Sequence, residues 1–280
     1  MPRVSRNYLI NSENRVSGTT SSFGYYIPND GQYTHCIVLG ANIPVSYYLI
    51  QAPYNKFTLY ENNVPIEIEI PVGNYNVSSF QIVVQNLLNT NTQIGNIYEI
   101  SFANDYEQHS TGKYTFTCTN TSSPEPQLVF DNNGEVHAQF GFSHASANTF
   151  VNGVLQSETV VNFISETVLT ISSDLCDDTN LLTIFYDNAE PYSIISFQAQ
   201  SDLYGRKLRT GGKDSLYQFS VLSRNGHKLD LNGLPAVMDL LLYREDHSWK
   251  TDIQNYIKYK VYQESSNNNQ TQDLFSNQSI

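Results

Sequence analysis

Apolar and polar residues alternate with period two in several short stretches. In "VPIEIEI", Ile66, Ile68 and Ile70 fall on one side and Glu67 and Glu69 on the other. In "KYTFTCT", Tyr114, Phe116 and Cys118 oppose Thr115, Thr117 and Thr119. "SIISFQAQ", "YQFSV" and "IKYKVY" repeat the pattern, the last with Ile257, Tyr259 and Val261 opposite Lys258 and Lys260. Such alternation predicts half-buried strands. Further strands are expected at 35–40, 44–50, 56–60, 97–103, 126–130, 167–173, 181–186 and 237–243.

One segment has a different period. "SSFQIVVQNLLN" places Phe80, Val83, Val84, Leu87 and Leu88 at i, i+3, i+4, i+7 and i+8, a single apolar stripe on a helix. Ser78 and Gln81 have the spacing of a capping box. A weaker helix or turn is expected within 134–142.

The stretch from 65 to about 145 thus mixes strands with a helix, unlike its flanks. The flanks alone supply about eight strands, the number a jelly roll needs. The expected fold class is all-β dominated: a single jelly-roll β-sandwich with a small inserted α+β module. The expected boundaries are an N-terminal arm at 1–30, a discontinuous jelly roll at 31–60 and 155–263, and the module at 61–154. The tail at 264–280, rich in Asn, Gln and Ser, is expected to be disordered because it cannot bury enough apolar area to offset its ordering entropy. Leu274 and Phe275 are its only apolar anchors for docking on a partner. The segment "NRVSGTTSSFGYYIPND" at 14–30 reads as a polar, aromatic-tipped arm whose backbone needs partners elsewhere. No internal repeat is visible.

Composition supports a β-rich chain, with 20 Tyr and 14 Phe among 280 residues. The net charge of -12 counts against a general nucleic-acid binder, which would be basic. Cys36, Cys118 and Cys176 are odd in number and widely spaced, so buried free thiols in a reducing compartment are expected rather than a disulfide framework. No stretch approaches the roughly 20 apolar residues of a membrane span, and no secretion signal is expected at "MPRVSRNYLI". The sequons at Asn76, Asn120, Asn269 and Asn277 are read as chance matches.

Catalytic patterns fail on inspection. His35, His109, His137, His144, His227 and His247 show no metal-ligand spacing. "GFSHA" at 141–145 has Ala145 where a nucleophile elbow needs Gly. "RTGGKDS" at 209–215 has Lys207 and Asp214 where a P-loop needs Gly and Ser or Thr. "SDLCDDTN" carries Asp174, Asp177 and Asp178 without calcium-loop spacing, and reads as a solvated turn. No catalytic residue, metal ligand or cofactor is therefore expected. One local anomaly remains: Arg206, Lys207, Arg209 and Lys213 gather in "YGRKLRTGGK" within an acidic protein. They are candidate assembly contacts for an acidic neighbour, or for a weak contact with packaged nucleic acid.

Three stretches occur in an order that carries a resemblance. They are "LINSENRVSGTTSSFGYYI", then "VLGANIPVSYYLI…NKFTLYENN…IEIPVGNYNVSSFQIVVQNLLNT", then "NGHKLDLNGLPAVMDLLLYRE". Together they resemble the penton, or minor capsid, proteins of virophages and the related Polinton/Maverick elements, over about residues 7–245. The resemblance implies a single jelly roll, often with an insertion. It also implies a structural protein of the virion, synthesised in the host cytoplasm. Five copies would close each icosahedral vertex among capsomers of a double jelly-roll major capsid protein, with no membrane partner. The family often carries an aromatic pair after "LNG", where this chain has Leu234 and Pro235. A rival expectation is a carbohydrate- or receptor-binding jelly roll on a virion surface, using Tyr47, Tyr48 and Tyr186. A cupin-like metalloenzyme is weaker, for want of clustered His.

Truncating 264–280 is expected to leave the melting temperature unchanged within about 1 °C, since such ends rarely carry stability. A thermal melt of the shortened chain checks this.

Overall fold

A computed structural model describes residues 5–28, 32–102, 111–119, 124–130, 136–164, 166–187, 190–209, 216–244, 253–254 and 256–259. In chain order the first strands are β1 (Ser5–Asn11), β2 (Ser17–Gly18), β3 (Ser22–Tyr26) and β4 (His35–Pro44). Next come β5 (Lys56–Glu61), β6 (Val64–Glu69), helix α1 (Val77–Asn91), β7 (Ile97–Phe102), β8 (Tyr114–Thr119) and β9 (Gln127–Val129). Helix α2 (His137–Phe140), β10 (Ala147–Thr149) and β11 (Val154–Gln156) follow. The last strands are β12 (Val168–Ser173), β13 (Asn180–Phe185), β14 (Ile194–Gln198), β15 (Arg206–Lys207), β16 (Leu216–Leu222) and β17 (Val237–Tyr243). They fall into two compact units, Met1–Tyr47 with Glu166–Ile280, and Tyr48–Ser165.

The first unit is a jelly-roll sandwich of two five-stranded antiparallel sheets. One has the order β1-β17-β4-β14, with β15 also paired to β4; the other runs β13-β12-β16-β3-β2. Alternation along each strand points one apolar set inward. Ile10, Val38, Ile43, Met238 and Leu240 from the first sheet meet Phe23, Leu169, Ile171, Phe219 and Val221 from the second in a single buried cluster. Phe23 stacks on Phe219 with ring centroids 5.5 Å apart.

The N-terminal segment is not an arm. Residues 5–11 pair along their whole length with Tyr243–Val237, and β3 pairs with β16 from Tyr26↔Leu216 to Ser22↔Ser220. The expectation was misled by the polar, Ser- and Gly-rich composition, although Ile10 and Phe23 are fully buried. Gly18 holds the turn between β2 and β3 at φ 88°, where a Cβ would sit 2.1 Å from Ser22 O. The aromatic tip is anchored within the same chain: Tyr8 Oη donates to Pro28 O at 3.1 Å and Tyr25 Oη to Leu9 O at 3.3 Å.

Two other strand expectations need correction. The run at 44–50 is no separate strand, because β4 takes the chain through Pro44 in one pass. The "IKYKVY" alternation is overridden at 257–259, which are helical together with 253–254 and 256, while 260–262 lie outside the described residues. Ile253 and Ile257, four apart, pack on Ile37, Ala199 and Tyr243 of the first sheet's outer face. Burial of that pair outweighs the weak local strand preference.

The second unit interrupts the sandwich after its fourth strand. It is wider than the expected 61–154, because β5 belongs to it and not to the sandwich. A four-stranded sheet β10-β9-β5-β6 and a three-stranded sheet β11-β8-β7 share one core with α1. Phe80, Val84 and Leu88 are the buried stripe of α1, and Phe140 lies 5.1 Å edge-on from Phe80 and 4.9 Å from Phe57.

The cap of α1 is displaced from the expected Ser78 and Gln81. Asn76 Oδ1 accepts from Ser79 N at 2.9 Å, and Ser79 Oγ accepts from Asn76 N at 3.0 Å. Gln81 instead starts a polar stripe that lines the free edge of β7. Gln81 Nε2 donates to Ile100 O, Gln85 Oε1 accepts from Ile100 N, and Asn89 both accepts from Tyr98 N and donates to Tyr98 O. A bare sheet edge is a pairing hazard, and these amides occupy it as a neighbouring strand would.

Glu61 is the buried charge of this unit. Its carboxylate accepts from Thr92 Oγ1 (2.7 Å), Gln93 N (2.9 Å), Asn96 Nδ2 (3.0 Å) and Tyr98 Oη (2.8 Å). Four donors offset the desolvation of one carboxylate and fix the α1–β7 loop against the end of β5.

Phe23→Ala is expected to cost about 3–5 kcal/mol, the usual range for emptying a core aromatic site. Chemical denaturation measures it; a cost near zero would mean that β3 is not part of the core.

Candidate functional site

Of the four cations singled out in the sequence, two lie on a strand of the sandwich. Arg206 and Lys207 form β15 and pair in register with Cys36 and His35 of β4. Arg206 is half-buried, and its Nε donates to Asn180 O at 3.2 Å. Lys207 Nζ lies 3.9 Å from Asp177 Oδ2, with both side chains largely exposed. Arg209 is exposed, with its amide donated to Leu175 O at 3.0 Å. Lys213 lies outside the described residues.

The basic segment is therefore laid against the acidic turn "SDLCDDTN", and two stretches that the sequence presents separately become one feature. Its backbone is stitched as well as its charges: Asp177 N donates to Lys207 O, and Cys176 forms an isolated antiparallel bridge with Leu208. The three acids of the turn diverge. Asp174 Oδ1 accepts from Gln218 N at 2.7 Å, Asp178 Oδ1 from Asn180 N at 3.1 Å, and Asp177 faces Lys207. No sequence period foretells this meeting, since 174–180 and 206–209 are joined only by the sheet register.

Beneath the stitch lie two thiols. Cys36 Sγ and Cys176 Sγ are 3.3 Å apart, and both residues are buried. The contact with Cys176, together with burial, holds the Cys36 thiol well above its ordinary pKa. The sequence reading foresaw buried thiols but not their pairing. Cys118 sits in the core of the second unit.

The remaining chemical candidates are engaged locally. His35 stacks on Tyr243 at 5.6 Å, and the rings of His137 and His144 are 5.1 Å apart. Ser143 Oγ donates to Glu158 Oε2 at 2.8 Å. His109 and His247 lie outside the described residues. Among the described residues no three His, Cys, Asp or Glu side chains cluster as metal ligands, and no helix is long and apolar enough to cross a membrane. Of Tyr47, Tyr48 and Tyr186, the expected sugar platform, Tyr48 is half-buried, and Tyr47 and Tyr186 are joined hydroxyl to hydroxyl at 2.6 Å, with burial raising both their pKa values.

A groove of about 620 Å³ crosses the outer face of the first sheet. Gly40, Asn42, Ser196, Phe197, Asp239 and Tyr256 line it. Ser196 Oγ donates to Asn42 Oδ1 at 2.9 Å, whereas the buried Oδ1 of Asp239 has no hydrogen-bond partner among the described residues. Gly40 opens the floor: a Cβ there would meet only Phe197 O, at 3.6 Å.

No family model matches the chain, and no curated protein does. Among solved structures, it is similar to the selenomethionine-labelled mavirus penton protein at 13% identity and a TM-score of 0.38. The match covers 87% of this chain and 99% of that one. At that identity and score, the fold assignment rests on the strand pairing described above.

Arg206→Ser is expected to cost about 1–2 kcal/mol through loss of a charge-assisted hydrogen bond to a backbone carbonyl. Lys207→Ser is expected to change stability by less than about 0.5 kcal/mol, as for exposed ion pairs. Equilibrium denaturation of the two variants distinguishes them.

Proposed function

We propose that the chain is a structural capsid subunit without enzymatic activity, a penton protein whose five copies close an icosahedral vertex. The observation that carries this reading is architectural. A jelly-roll sandwich is interrupted after its fourth strand by a separate folded unit, as the resemblance of the three ordered sequence stretches implies. Its partners would be its own copies and major capsid protein capsomers, and its location the virion.

Ring assembly needs a heterologous contact, in which one surface meets a different surface of the next copy. The edge strands of the sandwich supply two unlike apolar surfaces. Phe185 on β13 and Ile194 on β14 are exposed on two edge strands, and Leu9 on β1 and Val16 ahead of β2 on the opposite edges of the two sheets. These residues are proposed to supply the apolar part of the ring contact, as contiguous apolar surface does at interaction sites. Of the described basic candidates, Arg206 and Lys207 already serve their own chain, and the exposed Arg209 is the one proposed to meet an acidic neighbour. The net charge of -12 weighs against packaged DNA as a major partner.

A second reading, a carbohydrate-binding module, is favoured by one observation: the Asp239 oxygen, without a partner among the described residues, in a groove that also offers Asn42, Ser196 and Tyr256. A glycan array would support it if signal appeared and vanished in Asp239→Asn; a blank array counts against it.

Native mass spectrometry of the purified chain is expected to show a five-copy species that grows as salt rises. Each copy carries -12, and at physiological salt that repulsion is screened over about 8 Å. A chain that stays monomeric at high concentration and high salt overturns the reading.

A further inference from the structure

We propose that Cys36 and Cys176 are an oxidative modification site, forming an intramolecular disulfide that ties the two sheets of the sandwich together. Cys36 lies on β4 of the first sheet, and Cys176 in the turn between β12 and β13 of the second. Their sulfurs are 3.3 Å apart in one buried cluster. Three backbone links hold the turn where it is: Cys176 to Leu208, Asp177 N to Lys207 O and Arg209 N to Leu175 O. On the other side, β15 is paired to β4 at Cys36 itself. The two thiols are thus positioned by one continuous stitch and not by chance proximity of mobile side chains.

The chemistry is a thiol–disulfide exchange. Two thiols give up two protons and two electrons, a low-molecular-weight disulfide such as oxidised glutathione accepts both, and it leaves as two thiols. Both sulfurs are buried, so exchange requires the turn to open locally; its residues 177–179 are exposed, and the three backbone links are what must part. A reducing cytosol keeps the pair as thiols, and an oxidising exterior closes it.

The consequence is large because of where the two residues fall in the chain. They are 140 residues apart, and they bracket the whole inserted unit. A cross-link closing so long a loop restricts the unfolded chain strongly, and the expected rise in melting temperature is roughly 10 °C.

The test uses the full chain, both incubated natively and refolded in a glutathione buffer poised towards the disulfide. The expected result is a loss of two hydrogens by intact mass and a fall in free thiols from three to one. Peptide mapping should join the Cys36 and Cys176 peptides, and the melting temperature should rise. Cys118→Ser should behave in the same way, leaving no free thiol. Cys36→Ser should show neither the link nor the rise; if that variant does not fold, mapping of the wild-type chain decides alone. Three free thiols in the refolded, oxidised protein, or a link through Cys118, would overturn the proposal.

Discussion

The sandwich depends on the pairing of the first two dozen residues with strands from the far end of the chain. β1 lies beside β17, and β3 beside β16. At the corner between them, Ser12 N donates to Ala236 O and Ser12 Oγ accepts from Ala236 N, across 224 residues of sequence. Without these contacts each sheet would lose one edge, and the core would lose Ile10 and Phe23. Contacts this distant in sequence are slow to form, because loop closure must precede the burial that rewards it. The long insertion between β4 and β12 adds little thermodynamic penalty, since the closure cost grows only with the logarithm of length.

Much of this was legible in the sequence. Periodicity located α1 and most strands of both units, because a half-buried sheet or helix face imposes its period on the residues that form it. What failed has a common cause. β2 and β3 are short and rich in Ser, Gly and Tyr, and β1 (SRNYLIN) buries only Ile10 fully, so single residues such as Ile10 and Phe23 report their burial. Ile257 opens the alternating run "IKYKVY", yet 257–259 are helical, set by Ile253 and Ile257 on a sheet face. The stripe of Gln81, Gln85 and Asn89 looks like a solvated helix face, and its role against the β7 edge exists only once that edge lies beside it.

The candidate site was the least legible. Composition marked Arg206, Lys207, Arg209 and Lys213 as an oddity seeking an acidic partner, and the register of β15 on β4 gives two of them partners within the same chain. In the sequence the acidic turn and the two cysteines stand apart, and the composition of the turn does not reveal that Leu175 and Cys176 within it are buried. Their convergence is a property of the fold, because the turn after β12 and the strand β15 are brought together by tertiary pairing and share no sequence pattern. Exposed Phe185, Ile194 and Leu9 likewise gain meaning only when their strands prove to be sheet edges.

Hydrogen exchange of the full chain, followed by mass spectrometry, tests the central claim most directly: the N-terminal segment belongs to the sandwich. Peptides covering 5–11 and 22–26 should be protected as strongly as those covering β16 and β17, since strands paired in one cooperative unit open together. Exchange of those N-terminal peptides at the rate of unstructured chain, with β16 and β17 still protected, would contradict it.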